Sequence, residues 1–483
     1  MKNYKSYTIL LFILAMFSAC EDFDASLEES YTQNPTPEDI ATEATAISAF
    51  QSWYFNSNAY NGPGLMLTTM ADMNTCPWGN AAMQDMSSEP RAAWSNDPGY
   101  SNAVALEEYY ANMYSLLANQ TTLITAMEGG LEVSDPAKIE CLARFGQAAA
   151  IGYLALVFDQ VWIVDETGLL FEGEAGTPEQ AMEIALEKLD IAIELASNNS
   201  FTVDAVNGMT LSSSQWAEFL NTLGARLLAN VARNSTQRDN TDWPRVLTYA
   251  NNGLTYDLNV LSDGWINWAT EWSLYMTYSG WGRVDMRVVN LMDPSMPSKW
   301  TSTSGYLPEA TSLDNRLATD FQYLDSQDFP ANRGIYHYSN YRHSRYDSET
   351  HLIEYTGSVP EMLKAENDLY KAEAILRSGG SVSDAVSVIN SSSRVLRGGL
   401  TPLSSGANAT TVYDAINYER SVELQSIGLG LGFFNMRKND LLQIGTPLHL
   451  PVPGSYLLAG GYDNYTFGGV ANADGINVSN GGW

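Results

Sequence analysis

Basic residues are scarce in this chain. Its 483 residues include 25 Lys and Arg against 56 Asp and Glu, a formal charge of −31. Phosphate backbones are held by concentrated fields of Lys and Arg, so no nucleic-acid partner is expected. Cysteine is nearly absent: Cys20, Cys76 and Cys141 are the three, too few for a disulfide framework and at no metal-binding spacing. The four histidines, His337, His343, His351 and His449, also lack ligand spacing, so neither a metal nor a cofactor is expected. Long apolar runs are missing too. Residues 7–17 are too few to cross a bilayer, and Arg144 and Asp159 bracket the apolar stretch between them too closely. At 45% the hydrophobic share is ordinary for a globular protein, and aromatics are plentiful, with 12 Trp, 27 Tyr and 15 Phe.

The first residues decide the compartment. Lys2 and Lys5 precede the apolar run, which ends in Phe17-Ser18-Ala19-Cys20. That is the layout of a secretion signal, and the Cys after a small pair is the layout of a lipoprotein cleavage site, with Cys20 acylated as the mature N-terminus. More than one acyl chain suffices for stable anchoring. The mature chain from Cys20 has 23 bases against 56 acids, and no Lys or Arg lies between Lys5 and Arg91. Residues 20–37 therefore read as an acidic spacer repelled by anionic headgroups. Whether Cys76 and Cys141 pair is left open by the sequence.

Helical periodicity is expected over 38–56, 103–129 and 139–163, the last with almost no polar face. Thr177-Pro178-Glu179-Gln180 supplies an N-cap, a proline at the first helical position and a capping-box Gln for a helix to about 196. Further helices are expected over 213–235, 243–253, 359–377 and 383–396, the last two joined by Ser378-Gly379-Gly380. These are hairpins of tetratricopeptide size with a degenerate repeat. Residues 255–346 show no sustained period and form a long, aromatic insertion, of the kind that commonly carries function. Gly428-Leu429-Gly430-Leu431-Gly432 lacks the strand, helix and Lys of a phosphate loop and reads as a packing turn.

Four stretches together resemble the SusD/RagB family of nutrient-binding outer-membrane lipoproteins. They are Cys20-Glu21-Asp22; KIECLARFGQAAAIGYLALVFDQVW at 138–162; VPEMLKAENDLYKAEAILRSGGSVSDAVSVINSSSRVLRGGL at 359–400; and YERSVELQSIGLGLGFFNMRKNDLLQIGTPLHLPVP at 418–453. The chain departs from the family pattern at Asp159-Gln160-Val161-Trp162, where the family has Gly-Asp-Val-Pro, around Ile427-Gly428-Leu429, and at Asn435. The resemblance implies a mainly α, SusD-like fold of tetratricopeptide-like helix pairs with a large irregular insertion. Its segments are a signal peptide over 1–19, the spacer over 20–37, a helical scaffold over 38–254, the ligand-binding insertion over 255–346 and a C-terminal part over 347–483, the scaffold and later segments sharing one composite domain. It further implies a non-enzymatic lipoprotein of the outer membrane, facing outward, that captures glycan and delivers it to a TonB-dependent, SusC-like transporter. Capture of oligopeptide, as in RagB-type members, is the alternative; a secreted glycoside hydrolase is a third reading from a different class.

Sugar rings stack their C–H faces on flat side chains and present hydroxyls to a polar edge. The candidate binding residues are accordingly Trp78, Trp94, Trp281, Arg283, Trp300, Tyr336 and Tyr341. Trp265, Trp268, Trp272 and Tyr275 recur at helical spacing and are expected to face a core. Seven bases, Arg283, Arg287, Lys299, Arg316, Arg333, Arg342 and Arg345, fall beside these aromatics together with seven acids. Internal ion pairing is the expected role, and a neutral glycan suits the acidic background better than an anionic one.

Overall fold

The computed structural model describes Ala46 and residues 62–75, 79, 81–204, 207–264, 282–299, 307–325, 338–347, 350–351 and 356–483. The signal segment with Cys20, the spacer and the helix expected over 38–56, Ala46 apart, lie outside the described residues.

The fold is mainly helical. After a short helix α1 (Gly64–Met70) come α2 (Val104–Glu128), α3 (Pro136–Val157), α4 (Pro178–Asn198), α5 (Ser213–Asn230) and α6 (Trp243–Asn251). A second group holds α7 (Met286–Met292), α8 (Lys364–Arg377), α9 (Val382–Asn390), α10 (Ala409–Val422), α11 (Leu431–Lys438) and α12 (Gly454–Ala459). Starts are encoded locally. The Thr177 side chain accepts from Gln180 N while Gln180 accepts from Thr177 N, and Ser212 and Gln215 repeat the same box at α5. Pro136 follows the N-cap Asp135 of α3.

α3 is the axis of the molecule. It is buried without interruption from Cys141 to Val157, against α2, α4 and α5. Small residues set the spacing: a Cβ on Gly152 would sit 2.8 Å from Leu227 Cδ1, and one on Gly146 2.6 Å from Gln120 Cγ. Cys141 is a free, buried thiol that donates to Ala192 O at 3.3 Å.

The last carbonyls of α3 and α5 are satisfied by two buried arginines. Arg437 Nη1 donates to Leu156 O (2.8 Å) and Leu448 O (2.9 Å), and its Nη2 donates to Asn230 O (2.9 Å). Arg233 Nη2 donates to Ala155 O (2.6 Å) and Phe158 O (2.9 Å). Cations at these helix ends complement the partial negative charge of the exposed carbonyls.

Across the long insertion the two helical groups are joined by a strand pair and by buried charge. β1 (Leu258–Asp263), β2 (Phe321–Tyr323), β3 (Tyr341–His343) and β4 (Thr356–Met362) are the longer strands. β1 and β4 pair antiparallel with Val260 opposite Val359 and a register shift between Pro360 and Met362. Arg226 of α5 donates to both carboxylate oxygens of Glu366 on α8 (2.8 Å each) and to Tyr153 Oη (3.0 Å). The principal apolar cluster accordingly runs from α2 through α5 to Tyr370 and Phe434.

Expected boundaries change at several points. The helices expected over 139–163 and 213–235 end already at Val157 and Asn230. The helix expected from 359 begins only at Lys364, because 359–362 belong to β4 and Pro360 is unable to supply a helical N–H. The helix expected over 383–396 breaks after Asn390 and resumes as the single turn Ser393–Leu396, at a run of serines whose side chains compete for backbone partners. The insertion, expected to lack strand character, contains β1 with Leu258, Val260 and Ser262 inward and Asn259 and Leu261 outward. The glycine run is a packing turn: Gly428 and Gly430 adopt φ +58 and +64, and a Cβ on Gly430 would meet Phe434 and Leu67 at about 3.0 Å.

Candidate aromatic cleft

Three segments far apart in sequence build an open cleft of about 380 Å³ lined by Tyr110, Tyr114, Trp162, Val452, Tyr456, Leu457 and Tyr462. Tyr110 and Tyr114 stand one turn apart on the same face of α2, with ring centroids 4.6 Å apart. Tyr110 is set edge-on to Phe158 at 5.2 Å, which fixes its ring from behind. Trp162 follows the end of α3; its backbone N–H donates to Tyr114 Oη at 3.1 Å.

The C-terminal segment closes the other side. Tyr456 on α12 lies 4.8 Å from Tyr110, and Tyr462 lies 5.7 Å from Trp162. The turn between them passes through Gly461 at φ +78 and is closed by Tyr462 N donating to Leu457 O at 2.8 Å. Tyr456 and Tyr462 remain 41% and 49% exposed, so their faces are available to a ligand.

One buried side chain holds this segment. Asn96 Nδ2 lies 2.9 Å from Val452 O, Asn464 Oδ1 and Tyr465 O, its Oδ1 accepts from Gly454 N (3.1 Å), and its backbone O accepts from Asn464 Nδ2 (2.8 Å). Beside the aromatics stands a polar cluster: Tyr465 Oη donates to Asp159 (2.9 Å), and Gln160 Nε2 donates to Asp159 (3.1 Å) and to Tyr465 Oη (3.0 Å). Burial pushes the Tyr114 phenol up to about 12 and Tyr110 higher still. Among the described residues no Lys or Arg lines the cleft. It is thus an uncharged stack of tilted rings with a polar edge, suited to the apolar face of a polyhydroxylated ring.

Of the residues expected from sequence to bind ligand, Trp78, Trp281, Trp300 and Tyr336 lie outside the described residues, as do Trp265, Trp268, Trp272 and Tyr275. The other three are inside the protein. Trp94 is 2% exposed and edge-on to Tyr100 at 5.3 Å. Tyr341 is buried, its hydroxyl accepting from Ala310 N at 2.7 Å, and Arg283 is buried with Nη1 donating to Gly282 O at 2.8 Å. Apolar area and hydrogen bonds gained inside outweigh exposure at these positions, so they scaffold the fold instead of presenting a stacking face.

The bases of the same region are consumed internally. Arg316 binds Asp314, Glu419 and Glu423 (2.7, 2.7 and 3.0 Å), Arg345 binds Glu423 (2.9 Å), Lys299 binds Glu89 (2.9 Å), and Arg342 binds Asp347. Arg287 donates to Asp72 O (3.1 Å); Arg333 lies outside the described residues. Among the described residues no group of three His, Cys, Asp or Glu side chains is placed to hold a metal ion, and no helix is long and apolar enough to cross a membrane.

Sequence reasoning did not single out the residues of the cleft. Signals existed: the Tyr110/Tyr114 spacing, Trp162 within the departure from Gly-Asp-Val-Pro, and the aromatic run after Val452-Pro453. Nothing in the sequence says that the three converge.

No protein-family model matches the sequence, and no curated protein does. Solved structures do. A SusD superfamily protein from Parabacteroides distasonis superposes with a TM-score of 0.61 at 14% identity, covering 88% of this chain and 98% of that one. A SusD-like carbohydrate binding protein from Bacteroides vulgatus gives 0.58 at 15% identity, with 85% and 86% covered. A structure with xylogluco-oligosaccharide gives 0.52 at 16% identity, with 82% of each chain covered. The likeness extends over most of the chain and its partners, and the protein has the SusD-like fold.

Proposed function

We propose that this protein is a cell-surface glycan-binding lipoprotein, anchored to the outer membrane through acylated Cys20, that captures oligo- or polysaccharide and passes it to a TonB-dependent, SusC-like transporter. The observation that carries the reading is the uncharged aromatic cleft, half open to solvent and built on a SusD-like fold. Support comes from relatives of the same fold, one described as carbohydrate binding and one holding a xylogluco-oligosaccharide. Tilted Tyr and Trp rings take sugar C–H faces, and the Asp159, Gln160 and Tyr465 cluster stands ready for hydroxyls. A lining without bases among the described residues, within a chain of formal charge −31, favours an uncharged glycan. The role is one of binding, without turnover of the captured chain.

A retardation-gel panel of neutral and acidic polysaccharides, run beside an oligopeptide library, tests this reading. Retention by neutral polysaccharide with no change in its chain length is the expected result. Retention by peptides with no polysaccharide retained, or degradation of the polysaccharide by pure protein, would overturn it.

A further inference from the structure

The polar edge of the aromatic cleft has its donor hydrogens already engaged. Asp159, Gln160 and Tyr465 are each half-buried, so the edge keeps a face toward solvent. The single hydroxyl hydrogen of Tyr465 is shared between Asp159 Oδ1 and Oδ2 at 3.0 and 2.9 Å. Gln160 has two amide hydrogens and both are used, Nε2 donating to Asp159 Oδ2 at 3.1 Å and to Tyr465 Oη at 3.0 Å. The amide admits this orientation alone, because its oxygen in the same place would face a carboxylate and a phenol that has already donated. Arg233 is near enough for its charge to act on Asp159, but it is buried and its Nη2 donates to Ala155 O and Phe158 O.

What these three side chains still offer is acceptor capacity. A carboxylate has about four lone-pair sites, and Tyr465 and Gln160 do not fill those of Asp159. Gln160 Oε1 accepts from none of the described residues. A group that settles on this edge must therefore bring its own hydrogens. Ether, ester and carboxylate oxygens bring none, and an anion would also face the Asp159 charge. A sugar unit with two free neighbouring hydroxyls brings two.

We infer that this edge selects unsubstituted sugar units: adjacent free hydroxyls donate to Asp159 and to Gln160 Oε1 while the ring lies on the aromatic stack, and units O-alkylated at those positions are refused. The inference rests on the reading of the cleft as a glycan site and adds to it the chemical state of the sugar. Hydrogen bonds to an ionised acceptor are stronger than those between neutral groups, so Asp159 carries most of the selection. It is a specificity-determining residue as well as the brace of Tyr465.

Affinity gels carrying galactomannan, xyloglucan or mixed-linkage glucan, each native and as its water-soluble O-methyl ether, test the inference with the full mature protein. At least one native polymer is expected to retain the wild-type protein. Its methyl ether, which keeps the C–H faces and the oxygens but lacks the donor hydrogens, is expected not to. Toward the retaining polymer, Asp159→Asn, which replaces an acceptor by a donor at the same size, weakens binding at least about tenfold. Tyr465→Phe removes the internal bond but leaves the acceptors, and stays within about threefold of wild type. Were Asp159 a brace alone, Tyr465→Phe would weaken binding as much as Asp159→Asn. That result, or equal retention by the native polymer and its methyl ether, would overturn the inference while leaving the cleft intact, provided Trp162→Ala abolishes retention. Retention that survives Trp162→Ala, or no retention by any native polymer, would overturn the glycan cleft and the inference with it.

Discussion

Asn96 and Gly454 are bonded so closely that neither has a substitute: Gly454 N donates to Asn96 Oδ1 at 3.1 Å, and a Cβ on Gly454 would fall 2.0 Å from Asn96 O. This contact joins the loop before α2 to the start of α12, and so holds Tyr456 and Tyr462 opposite Tyr110 and Trp162. A structural glycine thereby sets the geometry of a binding face.

Gly454→Ala forces the two backbones apart and is expected to destabilise the protein by about 1–3 kcal/mol, the usual cost of overpacking. Asn96→Ala leaves the Val452, Tyr465 and Gly454 backbone groups short of partners, again at about 1–3 kcal/mol. Urea denaturation measures both. Because the damage is local to the C-terminal segment, glycan affinity falls in each variant under conditions where the protein remains folded.

Trp94→Ala separates the expectation drawn from sequence from the structure. A surface stacking residue would lose affinity and keep stability, whereas the buried Trp94 is expected to lose about 3–5 kcal/mol of stability as a large core residue truncated to Ala. A denaturation midpoint unchanged from wild type would contradict its placement.

Glu373 is a heavily charged interior site, its carboxylate shared by Arg377 (2.8 Å), Arg420 (2.7 Å) and Lys438 (2.9 Å). Although burial opposes ionisation, these cations hold its carboxyl well below the usual range. Glu373→Ala leaves three cations without their shared carboxylate and is expected to cost about 3–5 kcal/mol. Chemical denaturation checks this, and a loss under 1 kcal/mol would mean that solvent already reaches the cluster.

Acid lability is expected from two histidines. Burial pushes His343 down to about 3, with Arg345, Arg397 and Arg342 acting in the same sense and Asp320 against, and pushes His449 to about 3 beside Arg233 and Arg437. Between pH 6.5 and 3 the unfolded chain binds more protons at these sites, so stability present above pH 6.5 is lost as pH falls. Glu361 acts oppositely. Burial raises it to about 7 against the pull of Arg226, so between pH 4.5 and 7 its stabilising proton is lost as pH rises. Below pH 4.5 only the histidines of these three groups still contribute slope. His343→Phe, in a site already flanked by Phe321 and Tyr346 at 5.5 and 5.7 Å, is expected to flatten the fall in urea midpoint between pH 4.5 and 3. An unaltered slope would contradict the assignment.

Local signals carried the scaffold and failed at long range. Thr177-Pro178-Glu179-Gln180 specifies the start of α4 because every partner in the capping box is within three residues. The nearly all-apolar circumference of α3 specifies a buried helix for the same reason. The β1–β4 pair is different: Val260 meets Val359 only after the whole insertion has closed, and nothing near Pro360 announces a strand in place of a helix start. Trp94 and Trp162 illustrate the limit for the site. Both are tryptophans in connecting segments, yet one is sealed under the C-terminal segment, whose Phe467 O accepts from Trp94 N at 2.9 Å, while the other borders the cleft. Composition identifies which residues can stack on sugar; tertiary packing decides which do.

The most direct test of the cleft as the glycan site is calorimetric titration of a neutral oligosaccharide into the wild-type protein and into Trp162→Ala and Tyr462→Ala. Each substitution is expected to remove about 1–3 kcal/mol of binding free energy, by analogy with bases stacked on aromatic side chains, while the thermal midpoint changes little. Wild-type affinity retained in the Trp162→Ala, Tyr462→Ala double variant would contradict the account.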